Sequence, residues 1–249
     1  MNSVVVRALL VRGMLAGIAA GLLTFGLAYV IGEPPLAGAL TYETAHATGH
    51  ETELVSRRVQ STAGLATGVL IFGTALGGMA SLVFCFALGR IGRMGARATA
   101  GLVALGAFFT VFLVPFLKYP ANPPAVSNPD TLGQRTGVYF LMIAISVLLG
   151  VAAVQLGRQL APRLGGWNAT VTAATLFVSM TVLAAVLLPA VKEMPPDFPA
   201  NVVWRFRLAA VGIQAAMWAS FGLLFGYLAE RTLQPHIASD SPAGAPVSV

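Results

Sequence analysis

The segment ETAHATGHETE, at positions 43–53, holds two of the three histidines in the chain and three of its nine acidic residues. His46 and His50 stand four positions apart and Glu43 precedes His46 by three, so in a helix these side chains would share one face. Imidazole nitrogen together with carboxylate oxygen suits borderline divalent ions such as cobalt, nickel and zinc. The spacing therefore predicts a metal-capture site formed by Glu43, His46 and His50.

The same segment allows two alternatives to this interpretation. Gly49 and the neighbouring threonines have low helix propensity, so a loop or a short turn is an equal expectation. A solvated loop that binds no ion would also place histidines beside glutamates. If a site forms, Glu51 and Glu53 would raise the local cation concentration. Ligand type alone does not choose the ion, because intrinsic affinities favour nickel, copper and zinc over cobalt.

The composition of the chain indicates whether it lies in water or in a membrane. Of the 249 residues, 57% are hydrophobic and 10% are charged, and the mean hydropathy is +0.80, whereas about a quarter of a soluble domain is charged. These values predict an integral membrane protein. The net charge of +6 does not indicate a nucleic-acid-binding protein, because the arginines are scattered between apolar runs and form no basic stripe.

Charge-free windows predict the membrane spans, because about 20 apolar residues are needed to cross the hydrocarbon. Six windows are long enough for one helix each, and they predict spans at about 13–32, 62–88, 98–117, 136–157, 168–191 and 208–229. The predicted fold is an all-α polytopic bundle of about six transmembrane helices with Pro-rich outer loops. It forms a single domain over 1–232, followed by a polar, disordered tail over 233–249.

The loops predict the orientation of the bundle. With the N-terminus inside, the cytoplasmic segments would carry eight arginines and the opposite segments seven Arg or Lys residues. The two short loops GRIGRMGAR and GRQLAPRLGGW nevertheless hold five arginines and no acid. The positive-inside rule therefore favours two cytoplasmic termini and an outward-facing histidine segment.

Inside the predicted spans, polar chemistry is scarce. No Asp, Glu, Lys, Arg or His lies within any span core, which argues against a buried proton relay. Met79 and Cys85 could offer sulfur to a passing soft ion, although such residues more often fill packing gaps. Small residues four positions apart are typical of helices in close contact, and this spacing occurs at Gly13, Gly17 and Gly21, at Gly64 and Gly68, at Gly73 and Gly77, and at Gly222 and Gly226.

The outer segment KYPANPPAVSNPDTLGQR, at 118–135, should form a stiff cap, because proline disfavours helix and adopts extended or turn geometry. Lys118 and Tyr119 are expected at the headgroup level, and Arg135 begins the next helix. With Asn122, these residues are candidates for an ion path or for loop contacts. The alternative is that they only anchor the interface and stiffen the loop.

The recurrent enzyme motifs are missing from the sequence. It contains no GxxxxGK[ST] motif for nucleotide phosphate, no HExxH and no GxSxG. The single cysteine cannot form an internal disulfide. The chain is predicted not to be an enzyme and to hold no permanently bound cofactor.

Four segments, FLVPFLKYPANPPAVSNPDTLGQRTGVYFLM, LGRQLAPRLGGWNAT, LLPAVKEMPPDFPANVVWRFRL and EPPLAGALTYE, resemble the CbtA family of probable cobalt transporter subunits of bacteria. The resemblance runs from about Arg7 to Arg231. It implies a multi-pass protein of the bacterial cytoplasmic membrane, transporting Co²⁺ or a similar divalent ion. It also implies a small single-span, His-rich CbtB-like partner. The family is usually described with five spans, whereas the windows predict six. Five spans would place the C-terminus on the side opposite the N-terminus, and six would place it on the same side.

The expected function is that of a membrane subunit in a divalent metal uptake system, with cobalt as the ion. A histidine-bearing first loop is compatible with the resemblance, and the candidate ligands are Glu43, His46 and His50. The competing class is a membrane scaffold that docks a partner and transports nothing. A small neighbouring gene that encodes one span with a His-rich tail would favour transport.

Overall fold

The computed structural model describes residues 2–46, 56–92, 94–123, 126, 131–191, 194–195 and 197–239, and these are the described residues below. Within them the chain is helical and contains no strand. The predicted all-α class is confirmed. The helices are α1 Ser3–Leu27, α2 Glu33–His46, α3 Arg57–Val59, α4 Leu65–Ala87, α5 Ala96–Ala107, α6 Val114–Lys118, α7 Leu132–Leu187 and α8 Ala200–Ser239.

Short π-helical segments join several of these helices end to end. Ala28–Gly32 joins α1 to α2, and Phe108–Leu113 joins α5 to α6. Each of these two segments is followed within three residues by proline, at Pro34 and Pro115. Proline has no N–H to donate to the carbonyl four residues earlier, and here that carbonyl lies inside the π segment. A wider hydrogen-bond pattern at this point lets the helix continue through the proline.

Five continuous helices are long and apolar enough to cross a membrane: Ser3–Ala45, Arg57–Ala87, Ala96–Lys118, Leu132–Leu187 and Ala200–Gln234. The first, second, third and sixth predicted spans each lie essentially within a separate one of them. The fourth and fifth predicted spans both fall on α7, the second of them continuing to 191, just past the end of that helix. Six windows and five helices therefore describe the same apolar segments.

Helix α7 is 56 residues long and is broken near its middle. Gly165 has φ 77° and ψ 158°, three residues after Pro162. The two arms fold back on each other, since a Cβ on Gly157 would lie 3.5 Å from the Cβ of Ala173, and one on Gly150 would lie 4.0 Å from the ring of Phe177. The arms are antiparallel, and each is long enough to cross the hydrocarbon.

The chain divides into two compact units. Unit 1 comprises Met1–Leu22, Gly68–Leu105 and Met217–Val249, and unit 2 comprises Leu23–Thr67 and Gly106–Ala216. The single domain over 1–232 stays a prediction. The predicted tail over 233–249 begins within α8, which ends at Ser239, and 240–249 lie outside the described residues.

Unit 1 is held by backbone-to-backbone packing between α1 and α4. A Cβ on Gly73 would lie 2.7 Å from the carbonyl oxygen of Gly17, and one on Gly13 would lie 2.7 Å from that of Gly77. No side chain fits there, so the prediction from glycine spacing is confirmed for these four residues. Gly68 has open space beside it and takes no part in the contact.

Candidate functional site

The helical part of the predicted metal-capture segment is the C-terminal end of α2. Thr41 and Thr44, which weaken a helix by propensity, donate their hydroxyls to the carbonyls of Ala37 and Thr41, both at 3.0 Å. These bonds within the helix satisfy the hydroxyls, so α2 continues to His46. Glu43 is exposed to solvent one turn before this end. His50, Glu51 and Glu53 lie outside the described residues.

The end of α2 packs against Phe198 and Val203, which belong to the segment LLPAVKEMPPDFPANVVWRFRL. The rings of Tyr42 and Phe198 meet edge to face with centroids 4.7 Å apart. Buried Ala39, Val126 and Val203 surround this contact. Two segments distant in the chain, at Val126 and at 198–203, therefore pack around Tyr42, the residue next to Glu43.

Asp197 is an acidic residue at this site that the sequence prediction missed. Its carboxylate is hydrogen-bonded to the side chain of Tyr42, and the residue is exposed. Asp197 therefore contacts the residue that precedes Glu43 on α2. In the part of the chain that the structure describes, no group of three or more His, Cys, Asp or Glu side chains is placed to hold a metal ion.

An ion pair forms between the first residues of α2 and α3. Glu33, the first residue of α2, accepts a hydrogen bond from the guanidinium of Arg57, the first residue of α3. Their side chains are 20% and 34% exposed, so water screens the pair only in part. The pair joins the two helices that flank positions 47–55.

The segment at 118–135 contacts other parts of unit 2 near its start, which contains Lys118, Tyr119 and Asn122. The buried Tyr119 hydroxyl donates to the carbonyl of Pro189 at 2.8 Å, and burial raises the pKa of this phenol. The phenol therefore stays a protonated donor at neutral pH. The Lys118 ammonium lies 5.6 Å from the centre of the Tyr119 ring, within cation–π range.

Arg207 of α8 fixes the same segment from the other side. Its guanidinium donates to the side-chain oxygen of Asn122 at 2.9 Å and to the carbonyl of Ala121 at 3.3 Å. Arg135 is half-buried near the start of α7. Asn122 thus makes a loop contact, which is one of the two roles predicted for it.

Met79 and Cys85 both lie on α4 in unit 1. Met79 is 57% exposed, whereas Cys85 is half-buried. The buried hydroxyl of Ser81 donates to the carbonyl of Gly78 in α4 at 2.7 Å, and that of Thr99 donates to the carbonyl of Gly95, just before α5, at 3.0 Å. A role for the two sulfur atoms in an ion path stays a prediction.

Comparison with known proteins finds one family. Its model, described as "Probable cobalt transporter subunit (CbtA)", matches residues 6–230. No curated protein and no solved structure matches the chain. The matched range includes all five membrane-length helices apart from their outermost ends.

Proposed function

Because the chain belongs to the CbtA family of probable cobalt transporter subunits, we propose that this membrane subunit of a cobalt uptake system captures the ion at the end of α2. The match over residues 6–230 is the observation that carries the proposal. Helices of membrane length fit a multi-pass protein. The proposed location is the bacterial cytoplasmic membrane, with α2 facing outward.

The proposed ligands of the hydrated ion are Glu43, His46 and His50. Glu43 is exposed and lies three residues before His46 on α2, a spacing at which two residues share one face of a helix. Glu51 and Glu53 would raise the cation concentration nearby. The carboxylate of Asp197, held beside Tyr42, adds a further acidic group around this helix end.

After capture, the ion is proposed to pass between glycine-rich helices toward the opposite side, with Met79 and Cys85 as candidate sulfur contacts. Transport is proposed to require a small single-span, His-rich CbtB-like subunit, because the family is described as a transporter subunit. The chain itself acts in transport and carries out no catalysis in this scheme. Co²⁺ is the transported substrate.

Cobalt accumulation in a metal-transporter-deficient bacterial host tests the proposal. The host expresses the chain with its one-span partner, and wild type is compared with His46→Ala/His50→Ala at equal membrane abundance. We expect uptake above the empty vector, and a loss of most of it in the double variant, because two imidazole ligands are removed. His236→Ala is the matched control, since His236 lies in α8, outside the capture segment.

The possible outcomes separate the capture site from the transport function. Uptake that is unchanged in the double variant would keep the transporter and reject the capture site. No uptake of cobalt, nickel or zinc with any chain would favour the scaffold. Uptake should also weaken below about pH 6.5, because only neutral imidazole binds metal, so full-strength capture at pH 5 would contradict histidine ligation.

A further inference from the structure

The two arms of α7 enclose an open groove that the transport proposal does not use. Its volume is about 400 Å³, within the range of about 300–1,000 Å³ found for small-molecule sites. The first arm contributes Leu149 and Leu156 to its walls, and the second contributes Phe177 and Met180. All of these residues belong to unit 2.

The groove is mostly apolar, and its two polar lining residues lie toward one end. Gln155 and Gln159 line it on the side toward the chain reversal at Gly165. Leu149 and Met180 lie farther from the reversal on their respective arms. Because the charge-free window of the first arm ends at 157, the two amides lie at the predicted edge of the hydrocarbon, with the apolar walls inside it.

Positive charge accompanies the polar end. Arg158 is exposed, and its guanidinium donates to the side-chain oxygen of Gln155 at 3.2 Å. Arg163 is exposed beyond it, and α7 contains no acidic residue. A guanidinium has five N–H donors in a planar fork that matches a phosphate group. This end of the groove is therefore complementary to an anion.

The hairpin is also the most open of the membrane-length helices. In its most apolar window 11% of the residues are buried, against 33% in each of the other four helices. Trp167, just past the reversal, is 80% exposed, as expected of an aromatic anchor at the headgroup level. The rest of the chain consequently leaves most of this apolar surface uncovered.

We propose that the α7 groove binds one anionic glycerophospholipid. Its acyl chain lies along Leu149, Leu156 and Phe177, and its phosphate accepts hydrogen bonds from Arg158 and Gln159. The positive charge at one end and the apolar walls match the two parts of such a lipid, and the groove has a volume of about 400 Å³. A flexible acyl chain fits it. This inference does not depend on the proposed metal ligands.

Native mass spectrometry of the delipidated full chain, titrated with phosphatidylglycerol or phosphatidylcholine, tests the proposal. We expect phosphatidylglycerol to bind more tightly, and Arg158→Gln to reduce its affinity about fivefold, toward that of phosphatidylcholine. Arg90→Gln is the matched control, because Arg90 is also exposed, and its guanidinium also donates to a group four or fewer residues away, the carbonyl of Phe86. It should leave the preference unchanged.

A second variant tests the apolar part of the groove. Ala153→Phe should weaken the binding of both lipids, because the ring occupies the volume of the acyl chain. Ala152→Leu, at an exposed position of the same wall, makes the same test if the larger side chain prevents folding. A weaker loss of the same kind is expected from it.

Three results would overturn the proposal. The first is equal binding of the two lipids by wild type, and the second is the same loss in Arg90→Gln as in Arg158→Gln. The third is a groove-filling variant that keeps full lipid binding but loses a co-purified membrane protein. That result would assign the groove to a partner helix.

Discussion

Tyr42, the residue before the predicted capture segment, contacts Asp197, which the sequence analysis did not identify as a candidate site residue. Its ring packs on Phe198 and its side chain is hydrogen-bonded to Asp197. Glu43 was recognised by residue type and spacing, which are local properties. Asp197 meets Tyr42, the residue before Glu43, only because the chain folds, so no spacing in the sequence predicts this contact.

At the residue scale, the contact between α1 and α4 gives a sharp prediction. Gly73→Ala should lower stability by about 1 to 3 kcal/mol, the usual cost of overpacking, because the new Cβ would lie 2.7 Å from the backbone oxygen of Gly17. Gly68→Ala is the control on the same helix, where nothing lies within 4 Å. It should be neutral or stabilising by about 0.4 to 1 kcal/mol. Thermal unfolding in detergent measures both, and equal midpoints would contradict the packing.

At the element scale, helix α7 combines two predicted spans because the chain reverses over very few residues. A regular helix cannot reverse, and the break occurs at a glycine whose φ of 77° and ψ of 158° side-chain-bearing residues rarely adopt. The π segments before Pro34 and Pro115 act in the opposite way, since they let helices continue through a proline. Proline and glycine can each interrupt a helix, but the residue type alone does not show which of them ends one.

The reversal can be tested with two neighbouring substitutions of the same kind. Gly165→Ala should destabilise the protein by about 1 to 3 kcal/mol, because alanine is strained at this φ and ψ. Gly166→Ala should have little effect, since Gly166 has no positive φ and nothing within 4 Å of its added Cβ. Thermal unfolding of the two variants, compared at equal lipid content, checks the difference. A larger loss for Gly166→Ala would place the strain elsewhere.

At the scale of the whole molecule, the number of crossings decides where the C-terminus lies. Two crossings by α7 give six in total, and six crossings place both termini on one side of the membrane. The arginines of GRIGRMGAR and GRQLAPRLGGW predict that this side is the cytoplasm. A single crossing by α7 would place the C-terminus outside.

Reporter fusions test this topology. We expect fluorescent-protein activity and no alkaline phosphatase activity for fusions at the α7 reversal and at the C-terminus. A fusion at 194–195, between α7 and α8, should give the reverse result. Alkaline phosphatase activity at the C-terminus would show five crossings and contradict the six-span prediction.

The sequence by itself determined the membrane environment of this protein, its helical class and the approximate positions of its apolar segments. These follow from composition and from charge-free windows of about 20 residues, because hydrocarbon excludes charge and unpaired backbone groups wherever the chain lies within it. The sequence also carried the family, through segments that are continuous along the chain.

Only the tertiary structure decided which residues meet. The pairs Glu33 with Arg57, Tyr42 with Asp197 and Asn122 with Arg207 join positions from 24 to more than 150 residues apart. The α7 groove likewise exists only where one arm of α7 packs beside the other. Such contacts depend on where helices touch and how they are rotated, which is set by the packing of whole surfaces and not by any local pattern of residues.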